Sequence, residues 1–293
     1  MSPGGRGRLR TALALAPLGL VLGGLFGGAL ALALAQSLGY APWFGVDTFP
    51  DAAAYRALWG DRAFWASLGL TLHYAVLSTA VAVVLGTALA LALARAFPGR
   101  RVFGLLYRLP LVVPYAVGIA LAIVVMGNGG VASRLAAAFG LIEAPADFPR
   151  LLHTHWGWGV VAVYVWKQTP FVAVAVHAVL LGVGRDTEEA AATLGARRWQ
   201  TVRLVTLPQV MPGIAQAALI TFAFNMGAFE APLILGGGYP DTLPVLAWRL
   251  FGDADYRLQV RAMAVVVSIA LVSGAVLALH LALAARAARR GGA

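Results

Sequence analysis

Asp186 to Pro208 reads DTEEAAATLGARRWQTVRLVTLP, a polar island between two long apolar runs. Its residues sort as a short helix, a glycine turn and a second short helix. Asp186 is placed to cap the first helix, and Glu189, three residues on, is spaced to reach back to the capping residue's own amide. Ala190, Ala191 and Ala192 favour helix and carry almost no side chain, so a partner can approach that face closely. Gly195 falls where the helix must end or turn, since glycine takes positive φ without steric cost. Arg197 and Arg198 follow, then an apolar edge at Val202 and Val205. Pro208 has no N–H for a continuing helical ladder and marks where the next element begins. Taken singly, these residues also fit a solvated loop between membrane helices, with Glu189 no more than a cap.

The runs on either side decide the class. The chain has 293 residues, 60% of them hydrophobic and 12% charged, with mean hydropathy +0.81. Ordinary globular domains carry about a quarter charged residues, and a membrane-spanning helix needs about 20 apolar residues in a row. Several such runs are present, so the chain reads as an integral membrane protein, all-α. There is no cysteine, which excludes disulfides and thiol chemistry, and the five histidines are too scattered for a metal site. No catalytic constellation is legible.

In order, residues 1–10 form a basic tail with Arg6, Arg8 and Arg10. Thr11–Ala35 is a first span. Its end imitates a signal-peptidase site at Ala33 and Ala35, but its apolar run is too long for a signal peptide, whose apolar region is about 7–15 residues. An outer segment, 36–63, carries aromatics suited to a membrane–water boundary. The second span, 65–94, holds small residues that let helices approach closely, and a His73 that reads as a satisfied imidazole. The third, 103–126, contains Pro110 and Pro114 near its start, which predicts a kinked helix in the bundle interior whose freed carbonyls are served by neighbours. The fourth, 157–183, places Lys167 and Gln168 near mid-membrane, just before Pro170. The fifth, 211–235, is interrupted by Asn225, Gly227, Glu230 and Pro232, and the sixth runs over 262–285. Six spans put both termini in the cytoplasm.

The formal charge of +10 is distributed by side. With Arg108 at the edge of the third span counted in, the inner segments hold fourteen Arg and three acids, and the outer segments seven Arg and eight acids. That asymmetry is the positive-inside rule and fixes orientation. No block of like charges suggests a nucleic-acid partner.

The island resembles the EAA loop, the cytoplasmic signature of ATP-binding-cassette importer permeases. The family pattern is Glu-Ala-Ala, three residues, Gly, nine residues, an aliphatic, any residue, Leu and Pro. Glu189, Ala190, Ala191, Gly195, Val205, Leu207 and Pro208 meet every position, with valine for the more usual isoleucine at 205. From about residue 66 to 284 the order of spans is similar to the five-helix core of type I importer permeases, with one added helix ahead of it. The stretches SLGLTLHYAVLSTAVAVVLGTALALALAR, WKQTPF and NMGAFEAPLILGGGYPDTLPVLAWRL look most like the branch serving polyamines and ferric iron.

The resemblance implies a division into a tail, first helix and outer segment over 1–64, a permease core over 65–285 with a coupling loop at 185–208, and a tail over 286–293. It implies a chain of the cell inner membrane, bacterial and multi-pass, whose loop seats in a groove on an ATPase subunit. In that arrangement Ala190 and Ala191 give close fit, Gly195 gives the turn, Glu189 caps or pairs with the partner, and Arg197 and Arg198 add charge pairing. It also implies two ATPase copies binding the ATP, a second permease chain (the same or different), and a solute-binding protein, periplasmic or lipid-anchored, in addition to membrane lipid. This chain shows no Gly-x-x-x-x-Gly-Lys-Ser/Thr of its own and binds no cofactor on this reading.

Spermidine or putrescine is the solute this likeness suggests first, with ferric iron, phosphonate, thiosulfate and sulfate as alternatives. Lys167, Asn225, Phe229 and Glu230 are the candidate solute-pathway residues. For Lys167 and Glu230 the structural alternative is a mutual ion pair, or a snorkelling lysine and a carboxylate near the interface. An ion-driven secondary transporter is the rival class. It would need ionisable residues on several spans and repeat symmetry, and neither is evident.

Overall fold

Several of these runs are valine-rich enough to favour strands in water. Within hydrocarbon, however, backbone N–H and C=O groups must be satisfied within the protein, and a helix does this inside a single segment. The computed structural model describes residues 11, 13–95, 98–183, 186–255 and 257–291, and there the apolar runs are helical. The basic tail at Arg6, Arg8 and Arg10 lies outside the described residues.

The elements in order are α1 (Leu13–Ser37), a small antiparallel pair β1 (Tyr40–Ala41) and β2 (Val46–Asp47), and α2 (Ala53–Trp59). There follow α3 (Arg62–Leu93), α4 (Arg100–Leu106), α5 (Leu109–Val112), α6 (Tyr115–Met126) and α7 (Val131–Ala138). Then come α8 (Trp158–Val183), α9 (Asp186–Thr193) and α10 (Arg198–Gly227). The chain closes with α11 (Glu230–Leu235), α12 (Leu243–Phe251) and α13 (Arg257–Gly291). Among the described residues six runs are long and apolar enough to cross a membrane: α1, α3, Tyr115–Ala138, α8, α10 and Arg257–Leu283.

Three of the spans differ from expectation. The third is broken rather than kinked, into α4, α5 and α6. Val113 and Pro114 are extended between α5 and α6, at ψ 126° and 151°. The fifth starts at Arg198, not near residue 211, because the helix runs through Pro208 without a stop. Its outer end breaks at Ala228, whose ψ of 130° is extended, and a separate α11 opens at Glu230. The sixth begins at Arg257, five residues early, with Asp255 accepting a hydrogen bond from the Arg257 amide at 3.0 Å.

The chain divides into two units, Met1–Trp65 with Leu246–Val272, and Ala66–Val245 with Ser273–Ala293. In the first, α1 is wholly exposed over its apolar window, as a lipid-facing helix is. Asp61 caps α3 through the Ala63 amide at 2.9 Å. Ser37 at the end of α1 bonds the Tyr55 hydroxyl of α2 at 2.7 Å.

In the second unit α8 is central, with 61% of its apolar window buried against 33% or less for the other five spans. Two apolar clusters surround it. One joins Tyr74, Ile119, Ala122, Tyr164, Ala231 and Leu235. The other joins Ala90, Val172, Val176, Val210, Ile214 and Ala217. α3 and α8 come close at Gly86, where a Cβ would stand 2.6 Å from the Val172 Cβ and 2.8 Å from the Thr169 carbonyl oxygen. Between the clusters lies a polar layer. Gln168 of α8 and Asn225 of α10 exchange amide hydrogen bonds, and Asn225 donates to Thr79 of α3 at 3.3 Å.

Candidate functional site

The island folds into a two-helix knob. α9 ends in a Schellman motif: Gly195 is left-handed at φ +80°, its amide bonds the Ala192 carbonyl at 3.0 Å, and the Ala196 amide reaches Ala191 at 3.0 Å. Arg197 then stands as the N-cap of α10, at ψ 153°. Gln200 three residues on turns back to accept the Arg197 amide at 2.7 Å, half of a capping box. The two helices are tied where the knob joins the bundle. The Thr206 hydroxyl donates to Glu188 at 2.6 Å, and Gln209 reaches the Thr187 hydroxyl at 3.4 Å.

Pro208 is accommodated by a wider turn. Val202–Thr206 is π-helical, and the Leu207 amide bonds the carbonyl of Val202, five residues back. Pro208 therefore sits in the first turn of the resumed α-helix, where a missing donor costs least. This is why the helix continues where a proline alone predicts a boundary.

The expected residues separate into two groups. Asp186, Glu189, Ala190, Gly195, Arg197 and Arg198 are exposed, with Ala191 half-buried. Asp186 is the first residue of α9, not the residue ahead of it, so its carboxylate joins Glu188 and Glu189 in the first turn. There the free amides favour negative charge. Among the described residues no hydrogen bond joins Glu189 to the Asp186 amide, so the expected capping box is not made. Val205 and Leu207 are half-buried, and Leu207 packs against the cluster around Val176 and Val210, so they root the knob instead of presenting it.

Reading the sequence missed Glu188, which makes the bond that the acid at 189 does not. It also missed the exposed apolar side chains Leu194 at 88% and Trp199 at 58%. Large apolar residues inside an otherwise polar loop were the available signal.

The four pathway candidates also divide. Pro114 has no N–H for the Pro110 carbonyl four residues earlier, and the extended backbone at Val113 leaves a second carbonyl free. Lys167, itself 7% exposed, serves both: its Nζ donates to the Pro110 oxygen at 2.6 Å and to that of Val113. It also lies 4.8 Å from the centre of the Tyr115 ring.

Asn225, at 3% exposure, is held in the polar layer with Gln168 and Thr79. Consecutive residues of α8 thus clasp the broken third span and the fifth. Phe229 and Glu230 instead lie exposed at the α10–α11 break, with Glu230 in the first turn of α11. Among the described residues no ion pair joins Lys167 to Glu230, because the ammonium is already committed to the proline break. His73 is satisfied as expected, its Nε2 lying 3.3 Å from the Trp156 carbonyl.

A bundle of membrane helices with broken third and fifth spans, and a knob built on Glu-Ala-Ala and a left-handed glycine, defines a class of transport protein. The chain belongs to the family of binding-protein-dependent transport system inner membrane components, whose model matches residues 82–290.

Its relatives include the sulfate transport system permease protein CysW of Synechocystis sp., 34% identical over 73% of this chain and 71% of that one. A probable molybdenum ABC transporter permease protein of Haloferax volcanii is 36% identical over 70% of this chain and 71% of that one. The molybdenum transport system permease protein ModB of Azotobacter vinelandii is 31% identical over 65% and 80%.

Among solved structures, a bacterial ABC transporter involved in import of the acidic polysaccharide alginate aligns with TM-score 0.77 at 21% identity, covering 96% of each chain. The inward-facing MetNI methionine ABC transporter aligns with TM-score 0.53 at 18% identity, over 78% of this chain and 94% of that one. The fold is that of a type I ABC importer transmembrane domain. The chain is a permease subunit of such importers and a multi-pass inner-membrane protein.

Proposed function

We propose that this permease carries a small tetrahedral oxyanion of the sulfate or molybdate kind, driven by ATP hydrolysis on separate subunits docked against α9 and the start of α10. The observation that carries this reading is the kinship with sulfate and molybdenum permeases at 31–36% identity over about two thirds or more of the chain. The polyamine suggested by the look of a few stretches gives way to the sulfate alternative on the same ground.

The exposed face of the knob supports docking. Ala190 leaves room for a close approach, Leu194 and Trp199 offer apolar anchors, and the carboxylates of the first turn and Arg197 and Arg198 frame them with charge. A second permease chain would face the α10–α11 break, where Phe229 and Glu230 are presented, and a solute-binding protein would deliver the anion from outside. The charge bias between the two sides supports a cytoplasmic knob. Closure of the ATPase pair then biases two packed arrangements of the bundle through a rigid element, α10, that runs unbroken from the knob to the polar layer.

Uptake of labelled sulfate and of labelled molybdate by cells expressing the full importer tests the solute. Unlabelled oxyanion should compete and putrescine should not. Competition by putrescine with none by sulfate or molybdate would return the solute to the polyamine class.

A further inference from the structure

Where α3 and α8 end, beside the knob, there is a cavity of about 790 Å³. Three arginines line it: Arg95 just past α3 and Arg100 at the start of α4, both at one corner of the chain, and Arg198 at the start of α10. Among the described residues none of them has a carboxylate within ion-pair distance. His177 of α8 lines the same space, and its Nδ1 is buried without a hydrogen-bond partner among the described residues.

Two acids also face the cavity. Glu188 accepts the Thr206 hydroxyl at 2.6 Å and keeps its charge, so Glu188 and Glu189 together oppose the three arginines. The remaining wall is apolar, with Leu91, Leu180 and Leu181 from the ends of α3 and α8. The three arginines are exposed and outnumber the two carboxylates, so the cavity is net positive beside an imidazole nitrogen that has no partner among the described residues, and an anion would answer both.

We propose that this cavity binds a phosphate-class oxyanion between Arg95, Arg100 and Arg198, with His177 Nδ1–H as a further donor. The apolar wall at the mouth of two membrane helices selects the source, the phosphate of an anionic phospholipid in the leaflet on the knob's side. Arginine suits the role because its planar fork of donors matches phosphate oxygens. Since Arg198 belongs to α10 and Arg95 and Arg100 to the α3–α4 corner, a bound phosphate ties the knob to the end of the second span. Occupancy therefore stiffens the element through which an ATPase would act. Binding itself does not depend on the importer reading; only the effect on ATP hydrolysis does.

The test uses the importer complex reconstituted in phosphatidylcholine alone, in phosphatidylcholine mixed with phosphatidylglycerol, and in phosphatidylcholine with inorganic phosphate added. Native mass spectrometry of the extracted complex should show retained phosphatidylglycerol on the wild type. Retention should fall about tenfold or more in Arg95→Gln/Arg100→Gln and rise in Glu189→Gln, where one of the two opposing charges is gone. That gain separates an anion site from a misfolded variant. Solute-stimulated ATP hydrolysis should fall with retention in the Arg95→Gln/Arg100→Gln variant, whose residues lie outside the docking face.

If inorganic phosphate protects the wild type but not the double variant from thermal unfolding in neutral lipid, the site stands with a free anion as its source. Equal retention in wild type and double variant, or no saturable binding of either anion, overturns the proposal. Binding that obeys the variants while hydrolysis ignores them leaves the site intact and removes the coupling role instead.

Discussion

Lys167 shows how the cost of a single side chain can be legible in sequence while its partner is not. A lysine at mid-bilayer is expensive, about +2.5–3.5 kcal/mol on insertion scales, so something must hold it, and the only acid placed in a span by sequence is Glu230. The structure gives the ammonium two carbonyls instead, those of Pro110 and Val113, freed by the break at Pro114. Lys167→Met should therefore act on stability. Leaving a buried acceptor unmade costs about 1–3 kcal/mol, and the purified chain should melt at a correspondingly lower temperature while KM for the solute holds. An unchanged melting temperature with a raised KM would mean that Lys167 touches solute after all. Neither proline alone revealed this, since the pairing joins residues 57 and 54 positions apart in sequence.

At the scale of the element, the knob is the part most completely encoded locally. Alanines for helix, a glycine for the left-handed exit and a glutamine returning to the next N-cap all act over five residues or fewer, so spacing alone specifies them. Gly195 has φ +80°, where a side chain with a branched Cβ is costly. Gly195→Val should disturb the Schellman turn by about 1–2 kcal/mol and loosen α9 from α10. The variant should still insert and express, while co-purification with the ATPase subunit and solute uptake both drop. Uptake at the wild-type level in Gly195→Val or Gly195→Trp would show that this turn has no part in coupling. Less legible was the continuity of α10. The π-turn at Val202–Thr206 lets the helix pass Pro208, and a propensity rule that stops helices at proline has no place for it.

The whole molecule is an arrangement of helices whose sidedness rests on charge. The chain has no cysteine, so single cysteines can be introduced into an otherwise native background. Gly195→Cys in right-side-out vesicles should resist a membrane-impermeant thiol reagent and react once the vesicles are inverted. Gly238→Cys, in the turn that follows α11, should do the reverse. Reaction of residue 195 from outside would reverse the topology and remove the knob from any ATPase in the cytoplasm.

What the sequence determined by itself was the class, the run of spans and the knob. Hydrocarbon permits little but helices, the positive-inside bias is a count, and caps and turns act between near neighbours. The tertiary structure decided the partners of Lys167, Gln168 and Asn225, the true length of the fifth span and the meeting of Arg95, Arg100 and Arg198 around one cavity. These depend on which faces of separate helices meet, and that is fixed by packing at positions such as Gly86 against Val172, far apart along the chain. A period of 3.6 residues tells where a side chain points on its own helix; only the neighbouring helix determines what it finds there.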